Sequence, residues 1–552
     1  MRIVITGRGV VSALGIGKQA TIDALEQQHS GVHSCGAVPY DDAALAELCG
    51  IHTPASRSVL LALPAAREAL AEAHVQEDVA FFSGTTVAGM NITEQHWNDW
   101  QQGAPTDLIR HHESGACSRQ IASLLGLDGP VVTPSTACSS ALNAIMAAAD
   151  YLRSGQATCC LAGGTEALSE FHQQGFRSLM IIDDELCRPF SATRHGLNLG
   201  EGAGYLVLET EEHARARGAK IIAWLDGYAN ACDAYHQTAS SPDGEGAYRA
   251  MQQAMQMAHL QPDEIDYVNL HGTGTESNDS SEATALTRLF GEHLPPASST
   301  KSLTGHTTSA SGGIEAVICL LALEEGLLPA GVRVEEPILS TLVQRPQRQV
   351  LRHVMCNAFG FGGNDSVVIF SAEQGTELSS LTLPMLTPRV VVARVCPAHL
   401  TPMQARRLTP GMRRLTDAAL EALQQAGIEY PNAIIAATRW GCIVQSVRFL
   451  SDLLASDESA PRPTDFMQST HNTPASSVAI LCHAHGYNTT YSDGDESLTI
   501  AQRDAAIQLA SGRVKSVLVL YYDELEPTWQ ALLARVGITM EEHAEAYVYM
   551  ND

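Results

Sequence analysis

Cys138 lies in a segment whose residue types suit nucleophilic catalysis. Residues 134–141 read PSTACSSA and separate a short strand-like run from a long apolar, helix-like run. A thiol at the start of a helix meets the positive end of the helix dipole and free backbone N–H groups, and both favour the thiolate. We therefore expect a reactive Cys138 with a lowered pKa. A small thiol buried in a core helix would show the same pattern.

Two later segments place histidines beside hydrogen-bonding groups. Residues 271–275 read HGTGT after an apolar, strand-like run, so His271 should lie on a tightly bent loop next to two threonine hydroxyls. Residues 301–306 read KSLTGH and end in His306. One cysteine and two histidines on loops that follow strands can support nucleophilic acyl transfer, and imidazole N–H groups can stabilise an enolate. A structural turn with a capping histidine is the alternative for His271.

Lys301 is one of four lysines in the sequence and precedes a nearly all-apolar, helix-like segment that carries Glu315. Because a buried lysine needs a partner, we expect an ion pair between Lys301 and Glu315. An exposed loop lysine is the alternative. The glycine-rich segments 200–204 and 357–365 lack the strand–GxGxxG–helix context of a dinucleotide site.

The elements that must position these residues alternate between strand-like and helix-like patterns. This alternation predicts a layered α/β architecture with largely buried sheets. The helix-like run after Cys138 ends at Gly155, which is a C-cap signal. The other candidate elements are a helix at 58–73 with a proline in its first half, and strands at 3–6, 79–83, 265–270, 350–358 and 367–370.

The composition excludes several functional classes. The sequence has 61 acidic and 34 basic residues, a formal charge of −27, so neither nucleic acid nor a polybasic membrane anchor is expected. No run approaches the roughly 18 apolar residues needed to span a bilayer, and the first residues do not resemble a signal peptide. The 13 cysteines form no CxxC pair, which fits reduced thiols in the cytoplasm. No metal site is expected, because the paired histidines lack other ligands at suitable spacing.

The chain contains an internal repeat. When residues 122–166 are compared without gaps to residues 479–523, the identical pairs include Gly129/Gly486, Ser135/Ser492 and Gly155/Gly512. Residues 374–388 are rich in Ser, Leu, Thr and Pro without a clear period. We therefore expect a first domain at 1–372, a linker at 373–389 and a second α/β domain at 390–552 that repeats part of the first.

Residues 1 to about 371 resemble the β-ketoacyl-acyl-carrier-protein synthases, condensing enzymes with the thiolase fold. The matching segments occur in the family's order and spacing: VITGRGVVSALG, TACSSA, AGGTEA, GEGAGYLVLE, DAYH, HGTGT, STKSLTGH and NAFGFGG. The resemblance implies a layered αβαβα fold made of two halves, followed by an extra half-thiolase-like domain. It implies no cofactor, since the substrates arrive on the phosphopantetheine of an acyl carrier protein.

The resemblance also implies a role for each matching residue. Cys138 would carry the growing acyl chain as a thioester, while His271 and His306 bind the malonyl thioester and promote its decarboxylation. The backbone N–H groups of Cys138 and Phe361 would form the oxyanion hole, and the Phe361 ring would gate the site. The remaining implied roles belong to Lys301 and Glu315 as a buried supporting pair, and to Thr273, Thr275 and Phe359 in substrate binding.

The sequence departs from the family pattern in two places. Arg194-His195-Gly196-Leu197 stands where the family commonly has Arg-Asp-Gly-Phe, and GFGGND replaces GFGGTN at 360–365. Neither change affects a catalytic position, so substrate range is more affected than activity. In the second domain, Asp495 stands opposite Cys138, and no HGTGT, TGH or GFGG follows. This domain should be unable to condense anything.

The second domain resembles the chain-length factors that pair with ketosynthases, and residues 464–472 (TDFMQSTHN) resemble short synthase-like proteins of bacterial aryl polyene clusters. We therefore expect decarboxylative condensation of malonyl-carrier protein with a Cys138-bound acyl chain, in aryl polyene or related polyketide or fatty-acid-like synthesis. Phe466 and Met467 would shape the pocket, and the chain would form a homodimer or pair with another ketosynthase. The alternatives are a general fatty-acid-type synthase with a purely structural second domain, or a thiolase that uses a second cysteine.

Overall fold

The computed structural model describes residues 1–75, 78–373, 375–393, 399–406, 408–455 and 461–551. Gln374, within the expected linker, lies outside the described residues. Among the described residues, no helix is both long and apolar enough to cross a membrane.

The first domain is built around one large sheet. The strands of this domain are β1 (Ile3–Ser12), β2 (Gly15–Ile16), β3 (Val79–Gly84), β4 (Val131–Val132), β5 (Cys159–Glu166), β6 (Gly202–Thr210), β7 (Ala223–Cys232), β8 (Tyr267–Asn269), β9 (Ala297–Ser298), β10 (Leu327–Leu328), β11 (Gln347–Arg348), β12 (His353–Gly360) and β13 (Asn364–Ser371). Eleven described strands form the sheet in the order β4-β3-β5-β6-β1-β7-β13-β12-β8-β9, with β2 paired to β1. Strand β12 begins at His353, three residues later than the strand expected at 350–358.

The helices of the first domain lie between and outside the strands. They are α1 (Lys18–Gln27), α2 (Asp42–Cys49), α3 (Arg57–Ala73), α4 (Met90–Gln101), α5 (Ser114–Leu125), α6 (Ser140–Arg153), α7 (Glu170–Ser178), α8 (Glu211–Ala216), α9 (Glu245–Ala258), α10 (Glu276–Phe290), α11 (Lys301–Thr304) and α12 (Ser311–Glu325). Helices α6 and α12 pack against each other and against strands of both halves, while α3 and α9 cover the outer faces. The expected layered α/β architecture is therefore present.

Local sequence explains the burial of α6 and the close packing of α3 on strand β1. Every residue of α6 is buried, as its apolar sequence predicts for a central helix. Helix α3 begins at Arg57. Its N-cap residue is Ser56, whose hydroxyl accepts the Val59 N–H, and the helix continues through Pro64. On β1, a Cβ at Gly7 would lie 2.1 Å from the Ala69 carbonyl oxygen of α3, so only glycine permits this approach of strand and helix.

The second domain repeats the first half of the first domain. Its elements are β14 (Val390–Val392), β15 (Ala433–Ala437), β16 (Tyr487–Tyr491), β17 (Ser516–Asp523), β18 (His543–Met550), α13 (Pro402–Ala405), α14 (Pro410–Ala426), α15 (Ile443–Leu454), α16 (Pro463–Met467), α17 (Thr473–Cys482), α18 (Ser497–Ala510) and α19 (Pro527–Ala534). The strand order β14-β18-β17-β15-β16 matches β1-β6-β5-β3-β4. Helices α3 and α14 both have 17 residues, and α6 and α18 both have 14. The internal repeat is therefore confirmed in three dimensions.

The two domains meet through equivalent segments of the repeat. The Ser135 N–H donates to the Thr490 carbonyl over 2.8 Å, and the Ser492 N–H donates to the Thr133 carbonyl over 3.0 Å. An ion pair between the buried Asp150 and the solvent-exposed Arg513, at 3.1 Å, reinforces the contact. The connecting segment also packs on the first domain, since the Leu378 and Leu381 side chains are buried.

Candidate active site

Cys138 lies on the turn that leads into α6. A short 3-10 turn, Ala137–Ser139, precedes the α-helix, and Ala137 has a φ of +53°, in the left-handed region that a residue with a side chain seldom adopts. The backbone N–H groups of Cys138 and Phe361 both act on the sulfur and lower the pKa of the thiol, so the two donors expected for an oxyanion hole lie beside it.

His306 is the nearest imidazole to the thiol. Its Nε2 lies 3.2 Å from Cys138 Sγ. The Thr308 backbone N–H donates to His306 Nδ1 over 3.3 Å, and the Ser311 hydroxyl lies 3.0 Å from the same nitrogen. Because a nitrogen that accepts an N–H carries no proton, the proton of the neutral ring is on Nε2 and points into the site.

His271 completes the cluster from the loop after β8. The Glu282 carboxylate accepts the backbone N–H groups of His271 and Gly272, each over 2.9 Å, and so fixes the bend of the loop. Lys301 Nζ lies 3.4 Å from His271 Nδ1, so this ring also presents its Nε2–H to the site. The centroids of the His271 and His306 rings are 5.3 Å apart. One nitrogen of each ring and the Cys138 sulfur all lie within 4.8 Å of one another.

The expectation of a lowered thiol pKa is wrong for the resting site. Burial raises the pKa of Cys138 to about 11 and outweighs the lowering effects of Lys301 and the two backbone N–H groups. The physical reason is that removal of water penalises the thiolate more than the nearby donors stabilise it. Burial, together with the Lys301 charge, also lowers the pKa values of His271 and His306 well below the ordinary value, so both rings are neutral at pH 7.

Lys301 and Glu315 form the expected buried ion pair. Lys301 Nζ lies 2.5 Å from Glu315 Oε1, and both side chains are almost fully buried. Burial raises the pKa of Glu315 to about 7 against the opposing effect of the Lys301 ammonium. One thiol and two imidazoles could also ligate a soft metal ion. The Lys301 charge beside His271 disfavours a cation at this position.

The entrance to the site is a cavity of about 400 Å³. Thr273, Thr275, Phe359 and Phe361 line it together with the three catalytic candidates, and the two threonine hydroxyls lie 2.9 Å apart. All the residues that sequence analysis assigned to substrate binding in the first domain are therefore brought together. The Thr273 and Thr275 hydroxyls can hydrogen-bond to a polar thioester arm that reaches toward Cys138.

A second cavity leads away from Cys138 into the contact between the domains. It is narrow, about 50 Å³, and the second domain contributes Trp440, Ser446, Phe466, Ser469, Thr470 and His471 to its lining. Of the two residues expected to shape the pocket, Phe466 lines it, whereas Met467 does not. Phe466 fits because α7 carries Gly175, where a Cβ would lie 2.2 Å from the Phe466 ring.

Two aromatic rings lie between the two cavities, and a third ring packs against them. The Phe361 ring stacks on Phe176 with centroids 5.5 Å apart, and Phe176 meets Phe466 edge-on at 5.3 Å. Phe176 and Phe361 line both cavities. An acyl chain that extends beyond Cys138 must therefore displace or pass these rings, and one of them belongs to the second domain.

The equivalent position in the second domain cannot carry the same chemistry. Asp495 occupies the place of Cys138 in the repeat, and its side chain is 89% exposed. Its carboxylate lies 2.8 Å from Arg439 Nη1. An exposed, ion-paired carboxylate can neither hold a thioester nor exclude water. The expectation that this half lacks a condensation site agrees with this geometry.

Several residues of the site had not been predicted from the sequence. Phe176 and His172 of α7 line the acyl cavity, His471 hydrogen-bonds the Ser135 hydroxyl over 2.8 Å, and Asn472 reaches the Phe361 carbonyl. His471 and Asn472 fall in the segment 464–472 that resembles proteins of aryl polyene clusters, but that resemblance indicated no contact with the catalytic loop. The contact itself spans the two domains and leaves no local pattern.

Three family models match the chain. The model described as "Beta-ketoacyl synthase, N-terminal domain" matches residues 42–214, and "Beta-ketoacyl synthase, C-terminal domain" matches residues 222–335. A second model described as "Beta-ketoacyl synthase, N-terminal domain" matches residues 389–544. The matches therefore divide residues 42–335 into the N-terminal and C-terminal halves of one synthase, and residues 389–544 repeat the N-terminal half.

Two curated relatives cover most of their own length. Nodulation protein E of Rhizobium meliloti is 38% identical over 330 residues, which is 57% of this chain and 82% of the relative. The 3-oxoacyl-[acyl-carrier-protein] synthase 2 of Staphylococcus aureus is 33% identical over 410 residues, which is 67% of this chain and 98% of the relative.

Two solved structures have a similar fold. One chain of the structure titled "Ketosynthase (ApeO) in Complex with its Chain Length Factor (ApeC) from Xenorhabdus doucetiae" is 31% identical, and the match covers 67% of this chain and 98% of that chain with a TM-score of 0.58. The structure titled "PfaC Keto synthase-Chain length factor" covers 100% of this chain and 78% of its own at a TM-score of 0.81. Its identity is 18%, so it shows the shared fold of the whole chain.

Proposed function

The chain belongs to the β-ketoacyl synthase family and is a condensing enzyme of the acyltransferase type, and from this premise we propose that it condenses malonyl-carrier protein with an acyl chain on Cys138. The observation that carries this proposal is the convergence of one thiol, two neutral imidazole Nε2–H donors and two backbone N–H groups on a single point. No cofactor is needed for this chemistry.

In the first half-reaction, the Cys138 sulfur attacks the thioester carbonyl of an acyl-carrier protein. The carrier thiol leaves with the proton of Cys138, and the acyl chain remains as a thioester. The N–H groups of Cys138 and Phe361 stabilise the oxyanion of the tetrahedral intermediate. They also stabilise the thiolate, which offsets part of the effect of burial on the thiol pKa.

In the second half-reaction, a malonyl thioester enters through the cavity lined by Thr273 and Thr275. The Nε2–H groups of His271 and His306 donate to its carbonyl oxygen. The bond to the carboxylate breaks, carbon dioxide leaves, and the electron pair forms an enolate that the two donors stabilise. The enolate carbon attacks the acyl thioester, and the Cys138 thiolate leaves and regains a proton.

We propose that the second domain takes the place of a chain-length factor. Two observations support this role: it supplies Phe466 to the wall of the acyl cavity, and it occupies the face of the first domain around Ser135. At this face, the second domain would take the position of the partner subunit with which a ketosynthase otherwise pairs. Product length would follow from how far the cavity extends beyond Phe466.

We propose a conjugated, polyene-type acyl product, as in aryl polyene synthesis. The cavity supports this because its walls are rich in flat rings, among them Phe171, Phe176, Trp440 and Phe466, which can stack on a conjugated chain. The free thiols of the described cysteines fit a reducing compartment, so we also propose a cytoplasmic location.

Two alternatives remain distinguishable by product analysis. A general fatty-acid-type synthase is favoured by the 33% identity to 3-oxoacyl-[acyl-carrier-protein] synthase 2. It would give saturated-chain products whose length does not depend on the second domain. A thiolase would need a second reactive cysteine, but the Cys356 thiol is buried against Cys319 and lies outside the catalytic cluster.

The test is mass spectrometry of carrier-bound products with malonyl-carrier protein and a panel of acyl primers. The wild-type chain should form acyl-Cys138 and β-ketoacyl product, and Cys138→Ala should form neither. The matched control is Cys482→Ala, which removes a half-buried thiol that lines neither cavity. Condensation that persists in Cys138→Ala would refute the assignment.

A further inference from the structure

The loop that carries Phe361 is held by the second domain. Phe361, Gly362 and Gly363 form the tip of the hairpin between β12 and β13, where Gly360 pairs with Asn364. Asn472 Nδ2 donates to the Phe361 carbonyl oxygen over 2.8 Å. On the other side of the same peptide, the Gly362 N–H donates to the Gln237 carbonyl over 2.7 Å. This peptide is therefore fixed at both ends, once from each domain.

Asn472 gives up its usual local role to make this contact. It is the N-cap residue of α17, a position where an asparagine side chain normally accepts a backbone N–H of its own helix. Its side chain makes no such bond, is fully buried, and leaves Oδ1 without a partner among the described residues. The Asn472 side chain therefore hydrogen-bonds a residue of the other domain and does not cap its own helix.

The fit of the loop against α17 is close. Gly362 has a φ of +84°, and a Cβ there would lie 2.1 Å from Ser476 Oγ and 2.8 Å from Asn472 Nδ2. The loop tip therefore has little room to shift while α17 stays in place. A change at Asn472 alters the one polar contact that sets the direction of the Phe361 carbonyl.

The repeat supplies an internal comparison. Glu113 is the N-cap of α5, the equivalent of α17, and it also makes no cap hydrogen bond. Its carboxylate instead contacts Arg119 and Arg439, with Arg439 Nε at 3.0 Å. The second domain has no glycine-rich loop for Glu113 to contact. The N-cap side chain of α17 therefore faces a catalytic loop, whereas that of α5 does not.

We propose that Asn472 is a positioning residue that fixes the Phe361 backbone N–H over Cys138, so that the second domain sets the geometry of acyl transfer as well as enclosing the chain. The proposal rests on the function proposed for Cys138. An oxyanion donor works only within a narrow distance of the developing charge. His271 and His306 are fixed by Glu282, Lys301 and Thr308 instead, so decarboxylation should not depend on Asn472.

The test uses the full chain with Asn472→Ser. Serine is a good N-cap residue, so α17 keeps its stability, but its hydroxyl is too short to reach the Phe361 carbonyl. The control is Arg513→Gln, which removes the contact to Asp150 across the domain boundary and touches neither Phe361 nor Gln237. Acyl transfer to Cys138 and decarboxylation of malonyl-carrier protein are measured separately for each variant.

We expect Asn472→Ser to slow acyl transfer by about tenfold or more, while decarboxylation stays within about twofold of wild type. Arg513→Gln should leave both rates within about twofold. Equal loss of both rates in Asn472→Ser, or no loss of acyl transfer, would overturn the proposal. The rate of Cys138 alkylation by iodoacetamide gives a second readout that needs no acyl substrate, and it should fall in Asn472→Ser alone. If the wild-type chain formed no acyl-Cys138, the proposed function would fail, while alkylation would still test the role of Asn472.

Discussion

Pro134 and Tyr491, 357 positions apart, form an antiparallel β-bridge across the boundary between the two domains. The same separation relates the repeated segments, so each residue of this bridge faces its own counterpart. The flanking hydrogen bonds, Ser135 to Thr490 and Ser492 to Thr133, are also counterparts of each other. The contact therefore has the reciprocal pattern of a two-fold dimer interface, formed within a single chain.

This relationship predicts that the chain needs no second copy for a complete acyl cavity. We expect light scattering after size-exclusion chromatography to give the mass of one chain, 59.0 kDa, for a preparation that is active. A stable dimer would instead show that a further face is used for pairing, as the sequence-based expectation of a homodimer requires. Dilution should then reduce activity, which a single-chain enzyme would not show.

Phe466 should influence product length more than catalysis. Phe466→Leu shortens a side chain that lines the acyl cavity and contacts Phe176, so longer products are expected at a cost in stability of about 1–2 kcal/mol. Product length is measured by mass spectrometry of carrier-bound chains. Met467→Leu is the control, because Met467 does not line the cavity. An unchanged product distribution in Phe466→Leu would contradict a role of this residue in chain length.

Gly175→Ala should act in the opposite direction. The new Cβ would lie 2.2 Å from the Phe466 ring, so the ring must move, and overpacking of this kind costs about 1–3 kcal/mol. We expect shorter products and a lower melting temperature. Adding Phe466→Leu to Gly175→Ala should restore much of the lost stability, because the smaller side chain leaves room for the new methyl group. Simple additivity of the two losses would show that the two residues do not share this contact.

The alkylation of Cys138 should depend on pH over an unusually high range. Burial raises the pKa of the thiol to about 11, whereas an unperturbed cysteine titrates near 8.5. Because only the thiolate reacts, the rate with iodoacetamide should rise about tenfold per pH unit and continue to rise toward pH 11. Peptide mass spectrometry separates Cys138 from the other thiols. A plateau near pH 8.5 would contradict the effect of burial.

The ion pair of Lys301 and Glu315 should show strong coupling between its members. Glu315→Gln leaves the Lys301 ammonium buried without a counter-charge, so a loss of about 3–5 kcal/mol is expected. The double variant Lys301→Met/Glu315→Leu removes both charges and should lose less than Glu315→Gln alone. Thermal unfolding of the wild-type chain and the two variants checks the order. A loss in the double variant as large as that in Glu315→Gln, or larger, would contradict this coupling.

Much of the fold and of the catalytic cluster could be predicted from the sequence. Cys138, His271 and His306 lie in short segments where a strand ends in a loop of small residues, and such local patterns determine local backbone geometry. The pairing of Lys301 with Glu315 followed from their place beside one apolar helix. Element boundaries were less accurate, as for β12, which begins at His353 because its first residue must pair with Ser371 of β13.

The repeat showed that a second, inactive half exists, and the loss of the cysteine at Asp495 was visible in the sequence alone. Only the tertiary structure decided how that half contributes to the site. The inclusion of Phe466 but not Met467 in the cavity, and the contact from Asn472 to Phe361, join residues of separate domains. The raised pKa of Cys138 depends on the water that the whole assembly excludes. These properties arise from contacts and desolvation between distant segments, which no local pattern of residues encodes.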